Sequence, residues 1–199
     1  MIRSQLVFKS EYQKFADNIL QQIAASDRSG AELIFVGLHV RRTDYVQFSK
    51  VYLNKKVVGK TYFLEAIEYF QESYPDQQVY FIAVSDDLVW VRMKTFSMSE
   101  SNVSISHFHH FLITTDVPSL SQVKKNLGSI KGVVVAGVGG EEDGQLPGGL
   151  DPVGVDLALL RSCNHTIMSQ GQYGLWGAFL AGGDVYSQYG PLMISTRGQ

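Results

Sequence analysis

Two stretches of this chain carry residue types whose spacing could act on an anion. The first is His39-Val-Arg41-Arg42-Thr43-Asp44-Tyr45. Adjacent arginines present planar forks that match the oxygens of a phosphate or a carboxylate. If the preceding strand continues through them, a period of two puts His39 and Arg41 on one side and Arg42 on the other. Arg42 would then pair with Asp44 or a neighbouring loop. The second stretch runs from Asp156 to Trp176 and reads as helix, strand, glycine turn and helix. Its turn, Ser169-Gln170-Gly171-Gln172-Tyr173, leads into a helix start, where unbonded N–H groups and the helix dipole suit a phosphate. Each stretch also has a plainer reading. Arg-Arg-Thr-Asp reads equally as a solvated turn with a local salt bridge, and the glycine turn as an ordinary strand-to-helix loop.

Two other clusters point less directly at chemistry. Ser85-Asp86-Asp87 follows a second apolar run. Paired carboxylates there serve either a metal or a helix cap, and Ser85 or Asp86 just ahead of a helical segment favours the cap. His107-Phe-His109-His110 has no cysteine or carboxylate at ligand spacing nearby, short of the three or four converging ligands zinc takes. The chain contains no Asp-x-Asp, which would hold a diphosphate through a metal, and no Walker motif. Gly137 to Gly140 loosely suggests a dinucleotide turn, but no helical pattern follows it.

An alternation of helix and strand must position these residues. Tyr12, Phe15, Ile19, Leu20 and Ile23 give residues 10–25 one apolar helical face, and Ser29-Gly30 ends it. Leu33 to Val40 is a continuous apolar run, as in a strand buried on both faces. Helical period returns over 60–73, then Val79 to Val84 forms a second buried strand and 87–96 a short helix. Residues 97–131 are polar and mixed. Val133 to Ala136 is a third strand, and Gly137 to Gly149 a flexible glycine-rich loop. A helix over 153–162, a strand over His165 to Ser169, a helix over 172–181 and a last short strand at Val185-Tyr186 complete the pattern. This order implies parallel strands with right-handed crossovers, a Rossmann-like α/β domain. In such sheets the ligand lies beyond the C-terminal strand ends, so residues just after Val40, Val84, Ala136 and Ser169 should converge.

Bulk properties narrow the partners. Seventeen basic and nineteen acidic side chains leave a net charge of −2. That supplies no field for nucleic acid or an anionic membrane, so an anionic ligand needs a local arginine cluster. No apolar segment approaches the roughly 20 residues that span a bilayer, and no signal-peptide pattern opens the chain, which alone reads as soluble. Cys163 is the only cysteine, so no disulfide forms within the chain; its apolar surroundings suit a small buried hydrophobe. Sequons occur at Asn102-Val-Ser104 and Asn164-His-Thr166 and matter only in a secretory setting.

His39-Val-Arg-Arg-Thr-Asp-Tyr-Val46 resembles the HVRRxDYV motif of the α1,2-fucosyltransferases, with related motifs in α1,6- and protein O-fucosyltransferases. Ser85-Asp-Asp-Leu-Val-Trp90 is similar to that family's second signature. Val133 to Gly137, followed by Asp156-Leu-Ala-Leu-Leu160, resembles a strand, loop and helix of the same family. The most specific likeness is Cys163-Asn-His-Thr-Ile-Met168 with Gly171, Tyr173-Gly-Leu-Trp176 and Gly182-Gly-Asp184. The likeness runs from Val36 to Asp184 in the family's order. It implies the Rossmann-like donor-binding domain of a GT-B-type glycosyltransferase over 31–199, with residues 1–30 a helical remnant of the preceding domain or a linker. The implied reaction is metal-free, inverting transfer of fucose from GDP-fucose to the 2-hydroxyl of a terminal galactose on a glycan. Arg41 would hold the diphosphate, His39 and Asp156 would contact guanosine, and Ser169, Gln170, Gly171, Gln172 and Tyr173 would support the phosphates. Asp44 is the nearest carboxylate for a general base. Thr43 stands where vertebrate members have glycine, and the Gly137–Gly149 loop is longer than usual. Family members are type II membrane proteins of the Golgi lumen, whose N-terminal tail, anchor and domain half have no counterpart here. The chain is therefore expected to be a fragment, an incomplete gene product or a reduced form. Transfer to another acceptor position, or a non-catalytic GDP-sugar- or carbohydrate-binding module, remain alternatives.

Overall fold

In the computed structural model, which describes residues 5–87, 90–91, 111–112, 134–135 and 146–192, the apolar run over 33–40 becomes the organising strand. β1 (Leu33–Val40) pairs in parallel with β2 (Gln78–Ser85) on one side and with β5 (His165–Met168) on the other. Two short strands, β3 (Phe111–Leu112) and β4 (Val134–Val135), add in parallel to β2. β6 (Val185–Ser187) adds in parallel to β5, and β7 (Gly190–Leu192) closes that side antiparallel to β6. The sheet is therefore mixed but dominated by parallel pairs, as the alternating pattern predicts; β7 is an addition the pattern does not reveal. The His107–His110 cluster, the Asn102 sequon, most of the 97–131 segment and most of the Gly137–Gly149 loop lie outside the described residues.

Period two along β1 and β2 divides two packing layers. Ile34, Val36, Leu38 and Val40, with Val79, Phe81 and Ala83, face Phe63, Ala66, Ile67 and Phe70 of helix α3 (Lys60–Ser73). Tyr80 and Ile82 face the other way. They pack against Ala16, Leu20 and Ile23 of α1 (Ser10–Ser26) and Val155, Ala158 and Leu159 of α4 (Pro152–Ser162), with Leu33 and Phe35 alongside. Each fully buried Phe or Ile side chain contributes about 1.5–3 kcal/mol by leaving water. The helix expected within residues 1–30 is α1, which packs its apolar face into this second layer, and its Gln13 donates to Ser162 Oγ (2.7 Å).

One helix escapes the periodic reading. Helix α2 (Thr43–Tyr52) follows β1 after only two residues, and Ser49 is its one buried residue. Helix α5 (Gln172–Ala181) is where expected, and Gly182 ends it in the left-handed conformation at φ 76°. Close approach between elements depends on glycines. A Cβ on Gly37 would meet Leu160 Cδ2 at 2.8 Å, so α4 lies directly on β1. A Cβ on Gly183 would run into the backbone carbonyl of Asn164, which holds the strand entry by accepting the Phe35 N–H on its side-chain oxygen (2.8 Å). Gly183→Ala should therefore force backbone movement between α5 and β6. We expect a cost of at least ~3 kcal/mol, or a fall of roughly 6–12 °C in melting temperature for a chain of this size. Thermal unfolding followed by circular dichroism measures it.

Candidate functional site

The chain leaves β1 toward β2 and later returns to β5 on the opposite side, so the strand order reverses between β1 and β5. Such a switch point opens a crevice at the C-terminal strand ends, the usual ligand position in sheets of this kind. His39 aligns with Met168 across it, and the Ser169 N–H donates to the His39 carbonyl at 3.1 Å. Ser169 Oγ accepts the Arg41 N–H at 2.8 Å. One serine thus fixes the backbone on both sides of Val40.

The odd positions of β1 look toward α4 and α5. His39, 4 % exposed, lies beneath α5 with its ring centroid 5.5 Å from that of Tyr173. Gly174 permits this, since a Cβ there would run into His39 Nδ1. That nitrogen is buried and makes no hydrogen bond. Burial pushes the His39 pKa down to about 4; nearby Asp86 opposes the shift and Arg41 adds to it. The imidazole is therefore neutral at physiological pH. Tyr173 donates to the Val153 carbonyl (2.6 Å). Its phenol is pushed well above its ordinary range, first by burial and then by the charges of Asp156 and Asp151. Asp156, on α4, thus acts on the same corner as His39.

Arg41 emerges from this layer beside Gly171, the residue before α5, with the Arg41 stem and the Tyr45 ring at ordinary contact distance from where a Cβ would sit. Gly171 has φ 94°, a left-handed value that favours glycine, and as the N-cap residue it offers no side chain to cap the first turn of α5. Gln170 is buried, with Oε1 making no hydrogen bond. The Arg41 guanidinium itself is held by two carboxylates, Asp44 at 2.6 Å and Asp86 at 2.9 Å. Gln172 is the first residue of α5.

Arg42 turns to the opposite face. Its guanidinium carbon lies 4.0 Å from the Trp90 ring centroid, Nε is 3.7 Å from Asp87, and Nη1 reaches the Val58 carbonyl at 3.5 Å. The neighbouring loop is therefore part of its setting, but its carboxylate partner is Asp87 and not Asp44, because Asp44 sits across the α2 start beside Arg41. The helix cap expected of Ser85 or Asp86 also belongs to Asp87, whose Oδ1 accepts the Trp90 N–H (2.9 Å). Ser85 is occupied with the Val40 carbonyl and the Asp87 N–H, both at 2.9 Å. Asp86 reaches across to β1 instead. It accepts from Arg41 Nη1, from the Arg42 N–H at 2.8 Å and from the Thr43 hydroxyl, so it serves the start of α2. Adjacency alone does not reveal this role, which spans 44 residues of sequence. Among the described residues no three His, Cys, Asp or Glu side chains gather as a metal site, and no helix is long and apolar enough to cross a membrane.

The family profile described as glycosyl transferase family 11 matches residues 2–126 and 109–187. Relatives named galactoside alpha-(1,2)-fucosyltransferase 1 include those of Saimiri boliviensis boliviensis (29% identical over 184 residues) and Bos taurus (26% over 183). The alignments cover 92% of this chain but only 38% and 39% of those proteins, so the chain spans well under half their length. No solved structure matches.

The burial of His39 has a testable sign. The unfolded imidazole takes up its proton near pH 6.5 and the folded one near pH 4. His39 therefore contributes stability above pH 6.5 that is lost as pH falls from 6.5 to about 4, and no more is lost below that. Between pH 7 and pH 5 the chain should lose about 2 kcal/mol more than His39→Gln, or roughly 4–8 °C in melting temperature. Parallel melts of the two proteins across that interval check it.

Proposed function

The chain belongs to glycosyl transferase family 11, and on that premise we propose that it is the donor-binding part of a fucosyltransferase, taking GDP-fucose at the β1–β5 crevice. The observation that carries this reading is the meeting of His39, Arg41 and Ser169 with the uncapped first turn of α5 at the switch point. In this reading guanosine enters the drier end, against His39 and Asp156. The diphosphate lies between Arg41 and the Ser169–Tyr173 turn. The acceptor is a galactose-terminated glycan, as the names of the relatives suggest.

The chemistry follows from where charge develops. The bond from the fucose anomeric carbon to the β-phosphate oxygen breaks, and the electron pair leaves with GDP. Arg41 and the α5 N–H groups stabilise that growing negative charge. The galactose 2-hydroxyl attacks the opposite face of the sugar, which inverts the anomeric configuration, and a carboxylate takes its proton. Asp44 is the candidate for that base. We assign the described unit to the donor-binding half of a GT-B-type fold. The full-length protein would work in the Golgi lumen, held by an N-terminal anchor as a type II membrane protein.

Release of GDP from GDP-fucose with a lactose acceptor tests the reading directly; GDP binding without turnover would favour a sugar-nucleotide-binding module. Because arginine and helix N–H groups carry the phosphates, EDTA should leave GDP affinity unchanged, and a loss restored by manganese would refute this. Arg41→Ala should weaken GDP binding at least about tenfold, since a charged hydrogen bond is worth ~1.5–3 kcal/mol. Arg41→Lys should recover only part of that, lacking the fork. Arg42→Ala should lower the melting temperature more than the affinity, because that side chain faces Trp90 and Asp87. Calorimetric titration beside thermal melts separates the two; equal affinity losses would end the assignment of Arg41 as the phosphate residue.

A further inference from the structure

The charges around the arginine pair do not suit an anion as they stand. Arg41 and Arg42 supply two positive charges, while Asp44, Asp86 and Asp87 within ion-pair distance supply three negative ones. A diphosphate approaching Arg41 thus meets a local excess of negative charge. It binds well only if one carboxylate gives way. The three differ in how firmly they are held. Asp86, its side chain 20% exposed, accepts from the Arg41 side chain, the Arg42 N–H and the Thr43 hydroxyl. Asp87 pairs with Arg42 and caps its own turn through the Trp90 N–H. Asp44, its side chain 67% exposed, is held by Arg41 at 2.6 Å and by the Thr43 hydroxyl only at 3.4 Å. That hydroxyl has one proton, and its closer partner is Asp86.

We propose that Asp44 is the resident counter-ion of Arg41 in the empty site, displaced by the diphosphate when it binds, while Asp86 stays in place as the positioning residue that aims Arg41. The inference rests on the nucleotide reading of the crevice. It gives the two carboxylates on one guanidinium opposite effects on affinity. Removing the charge of Asp44 removes a competitor for Arg41. Removing the charge of Asp86 loosens both the Arg41 fork and the backbone at the α2 start. A purely structural role for Asp44 would lower stability and leave affinity equal or weaker.

The test is calorimetric titration of GDP into the full 199-residue chain, its Asp44→Asn and Asp86→Asn variants, and the same Asp44→Asn change in an Arg41→Ala background, each with a thermal melt. Asp44→Asn should tighten GDP binding by roughly three- to fivefold, the upper part of the range spanned by exposed ion pairs. The gain should vanish in the Arg41→Ala background, and Asp86→Asn should weaken binding. If Asp86→Asn does not fold, the Asp44 arms decide alone. An unchanged or weaker affinity in Asp44→Asn, with the parent chain still binding GDP, overturns the proposal and leaves the nucleotide reading standing. A gain that persists without Arg41 also overturns it, since it would reflect general charge and not competition. Failure of the parent chain to bind GDP overturns the nucleotide reading, and this proposal with it.

Discussion

The placing of β1 between β2 and β5 is the constraint on which the site depends. A strand buried on both faces must distribute its side chains by strict alternation, and β1 does so: even residues pack on α3, odd residues on the α4 and α5 side. The alternation does not end with the strand's hydrogen bonds. It carries into the next two residues, so that Arg41 follows His39 toward α5 and Arg42 turns to Trp90. The reversal of strand order at β1 then puts Arg41 at the topological switch point of the sheet, where ligands usually bind in folds of this kind. A shift of one residue in the β1 register would exchange the two arginines and remove His39 from beneath Gly174.

Much of this architecture could be read from hydrophobic spacing. The strands at 33–40 and 78–85 and the helices at 10–26, 60–73, 152–162 and 172–181 have apolar positions dictated by burial, and burial is what periodicity reports. Helix α2 was not legible because it scarcely faces the core. Ser49 is its one buried residue, while Phe48, Val51 and Tyr52 are exposed, so no apolar stripe marks it. The candidate site was legible in its residue types but not in its bonds. His39, Arg41 and Ser169 could be assigned to strand ends, yet the link from Ser169 to the Arg41 backbone spans 128 residues, and Asp86 reaches back 44 to Arg42. Local sequence encodes local geometry. Such bonds exist only once the sheet has brought distant strand ends together. Gly174 belongs to a motif visible in the sequence, but its physical duty, space for an imidazole, follows only from the packing of α5 on β1.

A gradient of wetness runs along the site over a few residues. His39 is 4 % exposed, the Arg41 side chain 34% and the Asp44 side chain 67%. At the dry end the proposed guanine would exchange water for a neutral imidazole and the Tyr173 ring. The middle retains enough low-dielectric surroundings for a guanidinium to act on phosphate oxygens with more force than in bulk water. The wet end is where the proposed glycan acceptor would arrive and depart. His39 lies two residues before Arg41 and Asp44 three residues after it, so one short segment spans buried, half-buried and exposed surroundings.

The pairing of β1 with β5 also has a consequence in time. Val36 aligns with His165, so one edge of β1 must wait for a partner made far later in synthesis. At typical elongation rates of about 5–20 residues per second, the interval is roughly 6–26 seconds. During it, the segment from Val36 to His39 offers unpaired N–H and C=O groups along an apolar strand, a template for pairing with another chain. The edge that β5 later covers is thus open to wrong partners while the polypeptide is being made.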